Sequence, residues 1–519
     1  MRPSSRPALV ALALLLLGVL ASAFAPLARA RGDDEIIQEF KKYFRKYKDT
    51  PTRVEAVLAL EGTESPEVVA VLAPLFDVVE PEVALAAARV LSKFKTRPPV
   101  DRILAELATA TSTEEKVGLL NALTQGRYGG TAAGVQVLLA DSSWDVRRHA
   151  LQTLAGLGDA SVAETIAAHC TETEVGVRCA ALEALAELHS PLVLAPARGD
   201  LANPSWQVRA TAIAALARVR HVDSIGPLIE RLGIEEGRLV VDIAAALASI
   251  TGRDFGARVD AWKDFWTNAQ GRFQIPSDEE LKKLREIQAK RREEYQGKKA
   301  VAYHGIETPS QSIVFVIDVS GSMEQEVVDK SRFKDGQYPS WKRIDVIKTE
   351  LMRTIEALEP YVDFNVIAFA TDVKPWKKSQ VKANPLNKSS AESWVSHLEA
   401  IGGSSKEDLA RVGLVGSANL EGGKTNTYGA LMAALGVEEG KEGKESRDYQ
   451  VKVDTIFFLS DGRPSTGRFI EPDDVLREVR AANELRKVVI HTITLGEFEK
   501  DFMERLASEN GGTFVDLGG

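Results

Sequence analysis

Ser312 to Ile317 reads Ser-Ile-Val-Phe-Val-Ile and runs straight into Asp318-Val-Ser320-Gly-Ser322-Met323. A strand that is apolar at successive rather than alternate positions must be covered on both faces, as in a central parallel strand flanked by helices. That commits this part of the chain to an α/β sheet. The strand stops at a carboxylate and two hydroxyls at alternate positions, with a glycine between the hydroxyls. Open sheets bind ligands at the carboxyl ends of their strands, and clustered hard oxygens suit a small divalent cation.

The pattern after Thr308 extends this reading. Strands are predicted at Ile313–Asp318, Phe364–Ala370, Thr455–Ser460, Val488–Leu495 and Thr513–Asp516. Amphipathic helices are predicted between them at Ile344–Leu358, Ala391–Ile401, Tyr428–Leu435, Asp474–Leu485 and Asp501–Glu509. The expected domain is a doubly wound, Rossmann-like α/β fold. Two further polar clusters fall at element ends: the Gly-rich Gly422-Gly423-Lys424-Thr425-Asn426-Thr427, and Ser460-Asp461-Gly462 after Ile456–Leu459.

Taken in order, these three clusters resemble the metal-ion-dependent adhesion site of von Willebrand factor type A domains: Asp-x-Ser-x-Ser, a loop threonine and a later aspartate. The resemblance spans 308–519. It implies that Ser320 and Ser322 ligate the cation through their hydroxyls, that Thr425 joins them, and that Asp318 and Asp461 hold coordinated waters. Mg²⁺ is the expected ion, with Mn²⁺ or Ca²⁺ as alternatives. An ion held by neutral hydroxyls and waters stays electrophilic, so the resemblance implies an acidic side chain of a protein partner as its last ligand. Two segments depart from the family pattern: Glu324 to Arg343, with Phe333, Tyr338 and Trp341, and Gly402 to Glu421. Lys424 interrupts the commoner Gly-Gly-Thr spacing and leaves Thr427 as an alternative to Thr425.

The first half is helical and repeats itself. Val146-Arg147, Val177-Arg178 and Val208-Arg209 recur at a fixed interval, each valine followed four positions later by Ala150, Ala181 or Ala212. Asp141, Glu172 and Asn203 precede them in the same register, Leu239 and Ile243 continue it, and Val54, Val83 and Val117 are weaker copies. A period near 30 with two helices per unit signals an α-solenoid, because one helix pair cannot bury its apolar face alone. The pattern resembles HEAT-type repeats, which implies an interaction scaffold. Asn203 and Pro204 are the expected N-cap and first helical residue. Trp262, Phe265 and Trp266 form an aromatic stripe expected to cap the array. The same register predicts Cys170 buried and Cys179 pointing outward, which disfavours a disulfide, and scatters His149, His169 and His189 over different faces.

The ends and joints complete the layout. Arg2 and Arg6 precede an apolar run from Ala8 to Phe24 and then Ala28-Arg29-Ala30, a secretory leader in outline; an uncleaved anchor is the alternative. Cleavage would remove three arginines and shift the formal charge from −9 to −12. The expected organisation is a signal peptide at 1–30, a polar helical segment at 31–49, a HEAT-like solenoid at 50–270, a charged helical linker at 271–307 and the α/β domain at 308–519. No basic block is present, so nucleic acid is not an expected partner. Nor is a membrane span expected after leader cleavage. Gly423-Lys424-Thr425 ends like a phosphate loop, but Ala418 stands where its first glycine belongs. His491, inside an apolar strand, reads as a core histidine.

The expectation is an exported protein, periplasmic, cell-surface or extracellular, that binds partners without catalysing a reaction. One alternative is a metal-dependent hydrolase with Glu324, Glu326 or Asp335 as its base. Another is an oligomerisation module.

Overall fold

The structure, a computed structural model, describes residues 32–78, 80–284, 302–303, 306–307, 310–333, 337–401, 423–437, 451–461, 463–495 and 500–517. The expected leader, Asp335, the 402–421 segment and most of the charged linker lie outside them. The chain divides into two compact units between Ala197 and Arg198. Among the described residues no helix is long and apolar enough to cross a membrane.

The first unit is a series of short helices, among them Pro81–Leu91, Thr113–Gly126, Trp144–Leu157 and Val175–Glu187. The repeat register marks their buried stripe. Val146, Ala150, Val177 and Ala181 are all fully buried, while the weaker copies Val54 and Val117 are only half-buried. The polar positions have a partner device. Arg147 donates from Nη1 to the Asp141 carbonyl at 2.8 Å and from Nη2 to Glu172 of the next repeat at 3.2 Å. Lys116 makes the equivalent pair with Asp141 at 2.6 Å. Burying one valine is worth about 1.5–3 kcal/mol, whereas an ion pair near the surface is worth about 0–1 kcal/mol. The apolar stripe therefore holds the stack, and the charges fix its register.

Cys170 is buried as expected, but Cys179 is buried too, contrary to the sequence reading, and both are thiols. The equivalent Arg148 suggested an outward position, yet Arg148 is itself buried and tied to Asp145. Helix Val175–Glu187 buries residues on both flanks, so every side chain at this register position turns inward. The histidines separate: His149 lies against Asp145, His169 against Glu172, and His189 adopts a left-handed backbone.

The second unit opens with the last repeat helices, Trp206–Val219, Ile225–Leu232 and Arg238–Thr251. Here Arg209 repeats the device, bonding the Asn203 carbonyl at 2.9 Å and Glu235 at 3.0 Å. The N-cap is Ser205, two residues later than expected; Asn203 instead accepts from the Ser205 amide and closes a turn. Trp262 is fully buried and packs edge-on against Phe255, with Phe265 and Phe273 beyond it. The charged segment starts exposed over 277–280 and is anchored by one apolar residue and one arginine contact. Leu281 is buried beside Gly252, and Arg220 grips Asp278 and the Pro276 carbonyl. Arg238 lies over the Trp206 ring, pairs with Asp242 and donates to the Lys487 carbonyl, joining these helices to the amino-terminal edge of the sheet.

The α/β domain holds a short hairpin, β1 Ala302–Tyr303 with β2 Ile306–Glu307, and one seven-stranded sheet. The sheet comprises β3 Ser312–Asp318, β4 Asp363–Phe369, β5 Val373–Pro375, β6 Val381–Lys382, β7 Thr455–Leu459, β8 Val489–Thr494 and β9 Phe514–Asp516. Its order is β5-β4-β3-β7-β8-β9, with β6 also on β4; β5 and β6 are antiparallel and the rest parallel. We number the helices of this domain α1 Arg343–Ala357, α2 Pro385–Ser396, α3 Thr427–Ala434, α4 Pro472–Asn483 and α5 Lys500–Glu509. All residues of β3 and β7 are buried, as an uninterrupted apolar run requires. Helix α2 starts six residues before its predicted position, because Asn384 caps the Asn387 amide and Pro385 is its first helical residue. The sequence reading did not include β5 and β6, which are too short to carry a periodic signal. Winding outward from β3 through β4 and from β7 through β8 puts the switch point between β3 and β7, where sheets of this kind bind ligands.

His491 stacks on Phe457 at 5.0 Å and accepts the Thr513 amide at Nδ1, 3.0 Å, so it is held neutral. Burial, helped by Arg238, pushes its pKa down to about 4. The unfolded chain then takes up a proton near pH 6.5 that the folded chain refuses until about pH 4. This contribution to stability is complete above pH 6.5 and is lost as the pH falls toward 4. Chemical denaturation of the wild type and His491→Gln across pH 4–7 tests this: the stability difference between them should shrink as the pH falls.

Candidate metal-binding site

Strand β3 ends by placing Asp318 fully buried beside the end of β7. The chain turns back at once: the Ser320 amide donates to Asp318 Oδ1 at 2.7 Å, and Ser320 opens a single helical turn over Gly321–Glu324. Ser322 Oγ donates to Asp461 Oδ1 at 2.7 Å, and the Ser320 and Ser322 hydroxyls lie 3.2 Å apart. Ser460 donates from Oγ to Asp318 Oδ2 at 2.5 Å. The residues after β3 and those after β7 thus share one hydrogen-bonded network.

The glycine-rich loop is clasped to it, the Gly321 amide donating to the Gly423 carbonyl at 3.2 Å. Its other fastenings run to the end of β4, from the Asn426 amide to the Ala370 carbonyl and from the Lys424 amide to Thr371 Oγ1. Asn426 caps α3 by accepting the Gly429 amide at 2.9 Å. Gly467 makes room for that cap: its φ is +105°, and a Cβ there would lie 2.2 Å from Asn426 Oδ1. Both backbone groups of Thr425 are engaged by Ser465, and the residue is buried. Thr427 is buried at the first position of α3 with an unpartnered hydroxyl.

Two carboxylates this deep need compensation. Asp461 has it: Arg343, 5% exposed, reaches Asp461 Oδ2 at 2.5 Å. Asp318 has hydroxyl and amide donors but no cation, and burial together with the Asp461 charge pushes its carboxyl well above the usual carboxylate range. The sequence reading missed Arg343 because Lys342-Arg343 looks like an ordinary solvated pair. One signal was available. A cation in the first turn of a helix opposes the helix dipole, so an arginine opening α1 needs another reason to be there.

The 324–343 segment holds Arg343 in place. Its amide donates to the Gln325 carbonyl at 2.9 Å and the Val327 amide donates to the Trp341 carbonyl at 2.9 Å, which sets Glu326 opposite Lys342 as an antiparallel bridge pair. The aromatic residues of this segment face inward. Phe333 is buried, Tyr338 packs against Phe333 and Trp341, and its hydroxyl donates to Glu350 at 2.6 Å. Glu326 pairs with Lys330 at 2.9 Å, and Glu324 ends the turn after Ser322 half-buried.

These residues fit a hard divalent cation. Buried carboxylates outnumber the guanidinium beside them, and the hydroxyls of Ser320 and Ser322 lie between them. Such a donor set matches the oxygen preference of Mg²⁺. When bound, the ion would supply a positive centre able to accept one more oxygen ligand.

The family description "von Willebrand factor type A domain" matches residues 311–516, and "HEAT repeats" matches residues 132–199. Among relatives, human inter-alpha-trypsin inhibitor heavy chain H4 is 29% identical over 211 residues, 41% of this chain and 18% of that protein. Human von Willebrand factor A domain-containing protein 3A is 26% identical over 207 residues, 39% of this chain and 13% of that one. This chain thus spans less than a fifth of either relative. Among solved structures, BatB from Bacteroides thetaiotaomicron aligns with 40% of this chain and 89% of its own at 15% identity and a TM-score of 0.25. The chain therefore carries a von Willebrand factor type A domain over residues 311–516, preceded by HEAT repeats.

Proposed function

We propose that the A domain binds Mg²⁺ through Asp318, Ser320, Ser322, Thr425 and Asp461 and uses the ion to hold an acidic side chain of a protein partner. The observation that carries this reading is the shared network at the β3–β7 switch point, where two buried carboxylates have one guanidinium between them. Ser320 and Ser322 present hydroxyl oxygens to the ion. Asp318 and Asp461 orient those hydroxyls and the waters around it. The repeat helices offer the second interaction surface, and the segment at 1–30 directs export and is then removed. Catalysis forms no part of this reading: Glu326, one of the candidate bases, is turned to Lys330.

Calorimetric titration with Mg²⁺ and Mn²⁺ tests it. Wild-type protein should bind one ion, and Ser320→Ala with Ser322→Ala should weaken binding at least about a hundredfold, the loss of two ligands at roughly 1.5 kcal/mol each. Unchanged affinity would sink the site. Saturating metal at a hundred times its dissociation constant should stabilise the wild type by about 2.7 kcal/mol in denaturant unfolding. The double variant should show no such gain.

The two loop threonines separate cleanly. Thr425→Val should lower metal affinity about tenfold, the effect of one lost oxygen ligand. Thr427→Val should leave affinity unchanged and raise stability by about 1 kcal/mol, because it removes a buried hydroxyl that has no partner. Titration and thermal melts on both variants check this.

A further inference from the structure

We propose that Arg343 is a built-in counter-ion of the metal site, which weakens cation binding by the empty site and makes the loaded site demand an anionic ligand. This rests on the metal-site reading above and gives Arg343 a role in binding that reading does not assign.

The geometry is specific. Arg343 holds Asp461 Oδ2 while Ser322 donates to Oδ1, so the two oxygens of one carboxylate are divided between the guanidinium and the hydroxyl network. Both partners are almost completely withdrawn from solvent, at 6% and 0% side-chain exposure, so their charges are little screened. The arginine is carried on the first turn of α1, where the dipole opposes it, and a clasp of two main-chain hydrogen bonds from the 324–343 segment keeps it there. Arginine stays protonated under all working conditions, so this charge is permanent.

Charge counting gives the consequence. With both carboxylates ionised, as a bound cation would require, two carboxylates and one guanidinium leave one net negative charge around the cation position. A divalent ion turns that into one net positive charge, which an incoming carboxylate then neutralises. Without the guanidinium the ion alone would neutralise the site, and a carboxylate ligand would make it negative. Arg343 thus shifts the balance from holding a metal toward holding a metal together with a partner's acid. By linkage, ligand and metal must strengthen each other's binding.

Mn²⁺ titration of the full chain, with and without acetate as the carboxylate probe, tests this in wild type, Arg343→Gln and Arg343→Lys. Glutamine can still donate to Asp461 but carries no charge. Arg343→Gln should bind Mn²⁺ at least about tenfold more tightly than wild type. Acetate should raise Mn²⁺ affinity in wild type and not in Arg343→Gln, and Arg343→Lys should behave as wild type. Melting in chelator should show Arg343→Gln destabilised, with a larger gain on adding Mn²⁺ than wild type shows. Equal or weaker Mn²⁺ binding by folded Arg343→Gln would overturn the proposal and leave the arginine a packing group. If Arg343→Gln does not fold, an Arg343→Lys protein without acetate enhancement would overturn it. Failure of wild type to bind Mn²⁺ at all would instead overturn the metal-site reading, a distinguishable result.

Discussion

Asp318 ends β3, Asp461 lies just beyond the end of the neighbouring parallel strand β7, both are buried, and the Asp461 charge adds to burial in raising the Asp318 carboxyl. Burying one carboxylate without compensation is costly, and two side by side are worse. Everything around them answers that cost. Ser460 and the Ser320 amide donate to one carboxylate, and Ser322 and Arg343 donate to the other. The tight turn after β3 follows from the Asp318–Ser320 contact, and the clasp on Gly423 brings in the glycine-rich loop. An arrangement whose members all satisfy two acids, with charge still left over, is poorly explained by stability alone. Well-packed apolar residues would stabilise the switch point better. The cost is consistent with a site kept for what it binds.

The same logic accounts for the segment between the serine turn and α1. Its aromatic residues pack inward, Phe333 and Tyr338 against one another, and the Tyr338 hydroxyl donates to Glu350. The segment's main-chain bonds converge on Gln325 to Val327 and Trp341 to Arg343. It works as a bracket that delivers a guanidinium to a carboxylate over a hundred residues further along the chain.

Much of this was legible in the sequence because two periodicities report burial directly. Unbroken apolar runs located β3 and β7, and the valine–arginine register located the inner stripe of the repeat helices. Both are patterns of many residues, and single errors do not erase them. What escaped were one-residue facts. Cys179 was misplaced because its register-mate Arg148 looked exposed, although an arginine tied to Asp145 can be buried. Asn203 has an N-cap's chemistry but closes a turn two residues early. Arg343 shows in the sequence only as a cation in an unfavourable first helical turn, because a buried ion pair is a property of two distant positions and neither carries its partner's number. The edge strands β5 and β6, of three and two residues, fall below any period.

The two halves of the chain show opposite uses of charge. In the repeats, Lys116, Arg147 and Arg209 pair with acids about one repeat further on, at partly exposed positions. Those pairs set register while valines and alanines supply the energy. In the A domain the one ion pair at the switch point is fully withdrawn from water and sits in a network that a different charge could enter. Screening makes the difference: a charge near the surface is answered by solvent and salt, while a buried one must be answered by the protein or by what the protein binds. An arginine can therefore be a spacer in the first half and a determinant of binding in the second, with no change in its chemistry. What changes is how far its partner carboxylate lies from water.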